Sequence, residues 1–273
     1  MSSNPDTALE NYLSELSFRF IKPLFPIRAP YSLVAPPDNW VIKSLIQVQT
    51  VIEFINTKLP YTDPERDKRI KQLCRIPKMS TYAVGSIIDK IVETMPPHCA
   101  FVNIGVWYGF TFLAGLINNP DKTCIGIDNF AEFGGPKEDF LKYFNRYKSP
   151  AHSFYEMDYR DYLAKVHKGE IGFYIYDGYN SYESQIEALR AAEPFFSDRC
   201  VVMIDDTNIV DRYSAAQDFI KQSPCQYRIL LDQKTYTNAH PTFWDGIMIF
   251  QRLPRQGTGA PPKTDSHPDG PNS

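Results

Sequence analysis

The stretch from Ala100 to Asp128, AFVNIGVWYGFTFLAGLINNPDKTCIGID, constrains the fold more than any other part of the chain. A short apolar run leads into two glycines four residues apart, Gly105 and Gly109, and an apolar helix-like segment follows. A second apolar run from Thr123 then ends on Asp128. The pattern predicts a strand, a tight turn, a helix and a second strand. Parallel strands finish at one edge of their sheet, and ligands bind outside that edge. Gly105 and Gly109 are expected to let backbone approach a ligand that a Cβ would exclude. Asp128 is expected to reach the two hydroxyls of a ribose.

The same rhythm continues downstream. Helices are predicted over 137–147, 159–168, 181–196 and 210–222. Strands are predicted over 151–157, 171–176 and 200–204, and the last two, 227–231 and 246–251, have no helix-length pattern between them and should pair antiparallel. Alternation of this kind predicts an α/β fold, a doubly wound and mainly parallel sheet covered by helices on both faces. The domain is expected over 80–252.

Residues 1–79 read as a proline-rich and helical extension, a lid or a self-association surface. A short helix is predicted over 7–18, followed by a passage in which Pro23, Pro26, Pro30, Pro36 and Pro37 disfavour regular structure. Phe18, Phe20, Leu24, Phe25 and Tyr31 suggest that this passage packs along a surface. Asp38 can cap a helix carrying Val41, Leu45, Val48, Ile52, Ile55 and Leu59, stopped by Pro60. A charged helix over 62–75 should turn Ile70 and Leu73 inward, and an amphipathic helix over 81–95 ends at Pro96-Pro97. Residues 253–273, rich in proline and glycine, are expected to be disordered.

Composition narrows the function. A net charge of -3 gives no electrostatic case for nucleic acid or an acidic membrane. No segment approaches the ~20 apolar residues of a membrane span, and the polar N-terminus carries no signal-sequence pattern. Five scattered cysteines form neither a disulfide framework nor a zinc motif. These features predict a soluble cytoplasmic protein, with a homo-oligomer left open.

Four successive strands end on carboxylates: Asp128, Asp158, Asp177 and Asp205-Asp206. Any one could be a turn residue or a helix cap. If the strands bearing Asp177 and Asp205 are neighbours, ~4.8 Å apart, their carboxylates converge and repel unless a proton or cation lies between them. An all-oxygen cluster suits magnesium, manganese or calcium better than zinc. The turn Gly105-Val-Trp-Tyr-Gly109 is not the dinucleotide G-x-G-x-x-G, and no P-loop or G-x-S-x-G elbow occurs. His152 and His240 are isolated and read as ordinary residues.

The motifs FVNIGVWYGFTFLAG, CIGIDNFAEFGGPKEDF, YDGYNSYESQIEAL and VVMIDDTN, in this order, resemble the class I S-adenosylmethionine-dependent methyltransferases. The group that includes the macrocin-type, metal-dependent small-molecule O-methyltransferases is the most similar. The resemblance covers about 80–250 and implies a Rossmann-like fold. It implies that Gly105, Tyr108 and Gly109 lie in the loop under the methionine part of S-adenosylmethionine, with Thr111 at the start of the helix. Asp128 would hold the ribose, with Asn129 and Phe130 beside it, and Asp158 would accept from the adenine amino group. Asp177, Asp205 and Asp206 would hold a divalent ion, Mg²⁺ by preference, which orients an acceptor hydroxyl on a molecule such as a sugar or polyol. FAEFGGPKED, over 130–139, would line the acceptor pocket.

Two departures stand out. Asn103 takes the place of an acid that meets the cofactor's amino group. The loop Asp177-Gly178-Tyr179-Asn180 lacks the acid and histidine of the family's D-G-x-H pattern, leaving Asp177 and Tyr179 as candidate catalytic residues. A second reading follows, a weak or inactive cofactor-binding protein with a role in assembly.

Overall fold

The strands of the second half are apolar on both faces, which suits a parallel sheet sandwiched between helices. The computed structural model describes residues 5–27, 40–60, 63–132 and 134–254. The expectations for Pro30, Tyr31, Pro36, Pro37, the Asp38 cap, Phe133 and the tail from 255 lie outside the described residues, as do the side chains of Val41 and Leu45.

The N-terminal elements are α1 (Pro5–Glu15), β1 (Ser17–Phe18), α2 (Trp40–Asn56), β2 (Thr57–Lys58), α3 (Pro64–Leu73) and, beyond residue 79, α4 (Tyr82–Thr94). The α/β region runs β3 (Cys99–Ile104), α5 (Phe110–Leu116), β4 (Thr123–Asp128), α6 (Lys137–Tyr147), β5 (His152–Glu156), α7 (Tyr159–Asp161), β6 (Glu170–Tyr176), α8 (Tyr182–Ala192), β7 (Phe196–Asp205), α9 (Val210–Gln222), β8 (Tyr227–Gln233) and β9 (Ile247–Arg252). Helix α7 passes into a π-helical turn, Tyr162–Val166, and α8 into a 3-10 turn, Glu193–Phe195.

Seven strands form one sheet in the order β5-β4-β3-β6-β7-β9-β8. The pairs from β5 to β7 are parallel, while β9 is antiparallel to both β7 and β8. The architecture is the expected Rossmann-like α/β sheet with an antiparallel end. Strand order reverses between β4-β3 and β6, which places a ligand crevice at the carboxyl ends of those strands. One face of the sheet packs Phe101, Phe173 and Ile175 against α4, α5 and α6, and the other packs Val102, Tyr174 and Val202 against α8 and α9. Thr81 caps α4 by accepting from Val84 N, and Ile70 and Leu73 of α3 are buried as the sequence predicts. Among the described residues no helix is long and apolar enough to cross a membrane.

Helix α2 corrects an expectation. Val48, Val51 and Ile55 are each more than half exposed, and the buried face carries Gln49, Glu53 and Asn56. Glu53 forms a buried ion pair with Lys78 at 2.8 Å and accepts from Tyr82 N at 2.8 Å. Asn56 Oδ1 accepts from Phe20 N and Ile21 N, and its Nδ2 donates to Ile21 O. Polar side chains thus tie α2 to the segment before it and to the start of α4, where apolar packing would have used the opposite face.

Candidate active site

The turn after β3 is held by Asp128. Its Oδ2 accepts from Val106 N at 2.8 Å and Trp107 N at 3.0 Å, and its Oδ1 accepts from Phe130 N at 2.7 Å. These bonds fix the left-handed residues Trp107 (φ 49°) and Phe130 (φ 51°). Gly105 (φ 79°) has a reason other than ligand approach, because a Cβ there would lie 2.0 Å from the Asp177 carbonyl oxygen. Gly109 (φ 100°) opens α5, and a Cβ there would meet the Phe140 ring at 2.8 Å. Both glycines therefore serve the close packing of chain against chain.

An open cavity of about 540 Å³ lies at the carboxyl edge. Its size falls within the range of small-molecule sites, ~300–1,000 Å³. At the β3–β5 end the wall includes Gly105, Asp128, Asn129, Phe130 and Asp158, and Trp107 from the turn. At the β6–β7 end it includes Asp177, Tyr179, Asn180, Asp206 and Arg212. Asn103, Tyr108, Gly109, Thr111 and Asp205 are not part of the wall. Asn103 is fully buried: its Nδ2 donates to Gly105 O at 2.9 Å, and its Oδ1 has no hydrogen-bond partner among the described residues. Tyr108 packs edge-on against Trp107, and Thr111 sits in the first turn of α5. Asn129 Oδ1 accepts from Ala131 N, and Phe130 stacks into a cluster with Phe140 and Phe154. Asp158 caps α7, with Oδ1 accepting from Arg160 N at 2.8 Å, while keeping a place in the cavity wall.

The acids of β6 and β7 converge on a residue that the sequence reading missed. Arg212, in the first turns of α9, is 1% exposed. Its Nη1 and Nη2 each lie 3.3 Å from Asp177 Oδ1, and Nη1 lies 3.8 Å from Asp206 Oδ2. The guanidinium also donates to the Asp205 and Gly178 carbonyls at 3.3 and 3.0 Å and to Asn180 Oδ1. Burial works against its charge, but Asp177, Asp206 and Asp205 outweigh it and raise the pKa. The carboxyls respond in turn. Burial, with the charges of Asp206 and Asp177, raises Asp205 well above the carboxylate range. Burial pushes Asp206 up to about 7, against the opposing charge of Arg212.

Asp206 itself is left-handed (φ 55°), which swings it toward the cavity while Asp205 stays 4% exposed beneath, its Oδ1 accepting from Asp206 N. Tyr179 is 59% exposed and lines the same end of the cavity.

The donor set does not fit the expected divalent ion. The centre on which Asp177 and Asp206 converge is filled by a fixed cation, and Asp205 is buried outside the cavity wall. Among the described residues, the group of three potential ligands within 4.8 Å of one another is His98, Cys99 and Glu170, at the other edge of the sheet.

The far wall comes from the β8–β9 connection, for which the sequence carried no signal. Asn238, Trp244 and Asp245 line the cavity there, with Met79 from the segment before α4. The connection is pinned from several sides. Ala239 N donates to Asp245 Oδ1 at 2.6 Å, Thr81 Oγ1 to Thr242 O at 2.6 Å, and Gln49 Nε2 to Ala239 O at 3.1 Å. His240 and His152 are buried and hydrogen-bonded, as expected of ordinary core histidines.

Residues 102–207 match the family model described as a methyltransferase domain, a span that runs from β3 to just beyond Asp206. No curated protein matches the chain. A protein from Corynebacterium glutamicum shares the fold with a TM-score of 0.54 at 13% identity, over 77% of this chain and 97% of its own. An O-methyltransferase from Bacillus cereus, solved in complex with SAH, shares it with a TM-score of 0.53 at 10% identity, over 76% of this chain and 99% of its own. At these identities the likeness is one of fold. The span matched by that model contains every strand end that borders the cavity from β3 to β7.

Proposed function

We propose that this methyltransferase domain binds S-adenosylmethionine at the β3–β5 end of the cavity and methylates a hydroxyl of a small molecule bound at the β6–β7 end. The observation that carries the reading is the Asp128 carboxylate, which clasps the turn after β3 and still faces the cavity. Each carboxylate oxygen offers two acceptor sites, and Oδ1 uses one of them on Phe130 N, so a ribose hydroxyl can be held beside it. Asp158 borders the same end. The wall holds Asp128, Glu132, Asp158, Asp177, Asp206 and Asp245 against Arg160 and Arg212, a surplus of negative charge that favours a cationic sulfonium cofactor. When bound, that cofactor supplies an electrophilic methyl group, and transfer depends chiefly on in-line positioning.

The acceptor end supplies polar and flat groups suited to a sugar or polyol: Asn180, with Asn238, Asp245 and Trp244 of the far wall. Arg212 fixes the loop 177–180 through Asp177, Gly178 and Asn180. Asp206, which lines the cavity beside Asp177, is placed to take the hydroxyl proton, and Tyr179 lies at the same end. A divalent ion has no part in this scheme, because Arg212 already supplies the positive charge between the acids. The second reading, a cofactor-binding protein without turnover, is favoured by the lack of a histidine or lysine in the cavity wall among the described residues.

Isothermal titration with S-adenosylmethionine and S-adenosylhomocysteine tests binding, and mass spectrometry of a metabolite extract tests turnover. Asp128→Ala should weaken cofactor affinity roughly 10- to 100-fold, about 1.4–2.8 kcal/mol. Unchanged affinity in a folded Asp128→Ala protein would remove the proposed site. Tight binding with no methyl transfer to any component would select the second reading.

A further inference from the structure

We infer that His98, Cys99 and Glu170 form a zinc-type metal site at the amino-terminal edge of the sheet. Cys99 opens β3 and Glu170 opens β6, and the two stand opposite each other in the parallel register. His98 precedes the strand in a turn closed by Cys99 N donating to Pro96 O at 3.1 Å. It is therefore free of the alternation that would send the side chains of adjacent strand residues to opposite faces. His98 Nε2 lies 3.3 Å from Glu170 Oε2, and Cys99 Sγ lies 3.9 Å from the same oxygen. With Zn–N and Zn–O near ~2.0–2.1 Å and Zn–S near ~2.3 Å, a tetrahedral ion separates its ligand atoms by ~3.3–3.6 Å. The two separations from Glu170 Oε2 stand near that spacing already, and all three ligand atoms lie within 4.8 Å of one another.

The chemistry and charge agree with the spacing. A thiolate, an imidazole and a carboxylate form a set suited to zinc over magnesium or calcium. One thiolate and one carboxylate also neutralise a dication. Cys99 is 1% exposed, whereas His98 and Glu170 are more than half exposed, so an ion can enter from solvent and keep a water as its fourth ligand. A second observation points the same way. Ser197, at the start of β7, is 5% exposed, its hydroxyl meets no oxygen or nitrogen partner among the described residues, and it stands beside the Cys99 thiol, favouring its ionised form. Burial raises the thiol pKa, Glu170 raises it further, and Lys122 opposes them weakly while donating its ammonium to Met95 O. An ion bound here takes up the thiolate, so the S–H bond breaks, an S–Zn bond forms and one proton passes to solvent. The six-residue β3 separates this edge from the cavity by ~20 Å, so the site is independent of methyl transfer.

The test uses the full chain, kept reduced with a phosphine, and titrated with Co²⁺ and with Zn²⁺. One equivalent of Co²⁺ should give a thiolate charge-transfer band in the near ultraviolet. Zn²⁺ should displace it, raise the Tm and release about one proton, read by titration in buffers of different ionisation enthalpy. Cys99→Ser should lose the band. Because that position is buried, His98→Ala and Glu170→Gln, both at exposed positions, provide the parallel measurement and should each weaken binding at least tenfold. A folded protein without the band, a band that survives in Cys99→Ser, or unchanged affinity in both exposed variants would overturn the assignment.

Discussion

Replacing Arg212 by Met keeps most of the buried stem and removes the charge that balances Asp177 and Asp206. Removing one partner from a buried ion pair leaves the other uncompensated and costs about 3–5 kcal/mol. The Arg212 side chain is 1% exposed and Asp206 19%, so solvent screens little of this, although Asp177 at 34% can recover some hydration. For a domain of this size ~1 kcal/mol corresponds to ~2–4 °C, so the Tm should fall by roughly 6–20 °C. The loss should depend on pH in a fixed direction. Without the guanidinium Asp206 is pushed to a still higher pKa, so the variant should be most destabilised above neutrality and recover as acid protonates that carboxyl. Emptying the centre also makes room for an oxygen-bound cation, and Ca²⁺ or Mg²⁺ should raise the Tm of the variant more than that of the native protein. Thermal scans at acidic and alkaline pH, with and without Ca²⁺, measure all three effects. A loss below ~1 kcal/mol, the same at both pH values, would refute the account of Arg212 as the balancing charge. Equal stabilisation of both proteins by Ca²⁺ would show that the acids accept an ion despite Arg212.

Two further predictions concern the N-terminal helices. Lys78→Met should destabilise the chain by about 3–5 kcal/mol through the stranded Glu53, whereas the double replacement Lys78→Met with Glu53→Leu should lose less in urea denaturation, about 1–3 kcal/mol for the unpaired Tyr82 N; additive losses would contradict this. Asp89, on α4, is paired with Arg66 at 2.8 Å, yet burial raises its carboxyl to about 6. A folded-state pKa above the unfolded value near 3.8 means that stability is greatest in acid and declines as pH rises from about 4 to about 6. Asp89→Asn should flatten that decline in chemical denaturation across this window. A wild-type stability that rises over the same interval, unchanged in slope by the substitution, would show that Arg66 outweighs burial.

Much of the fold was legible because it is encoded locally. The alternation of apolar runs, the helices over 81–95 and 137–147 and the antiparallel last pair follow from periodicity and punctuation within a few residues. Asp128, Asp158, Asp177 and Asp206 come together because parallel strands end at one edge, so their placement at strand ends already located the cavity.

Other features depend on partners far away in sequence. Arg212 lies 35 residues from Asp177, and nothing in its helix distinguishes it from a solvated arginine until β6, β7 and α9 are packed. The same packing decides that Gly105 is needed for the Asp177 carbonyl, that α2 buries Glu53 in place of Val51, and that the β8–β9 connection supplies Trp244 and Asp245. It also brings Glu170 to Cys99 across 71 positions. The sequence by itself determined which segments become strands and helices, and therefore which edge holds the site. Only the tertiary structure decided which charge neutralises the acids there, because short-range periodicity carries no record of the distant side chain that fills a buried electrostatic gap.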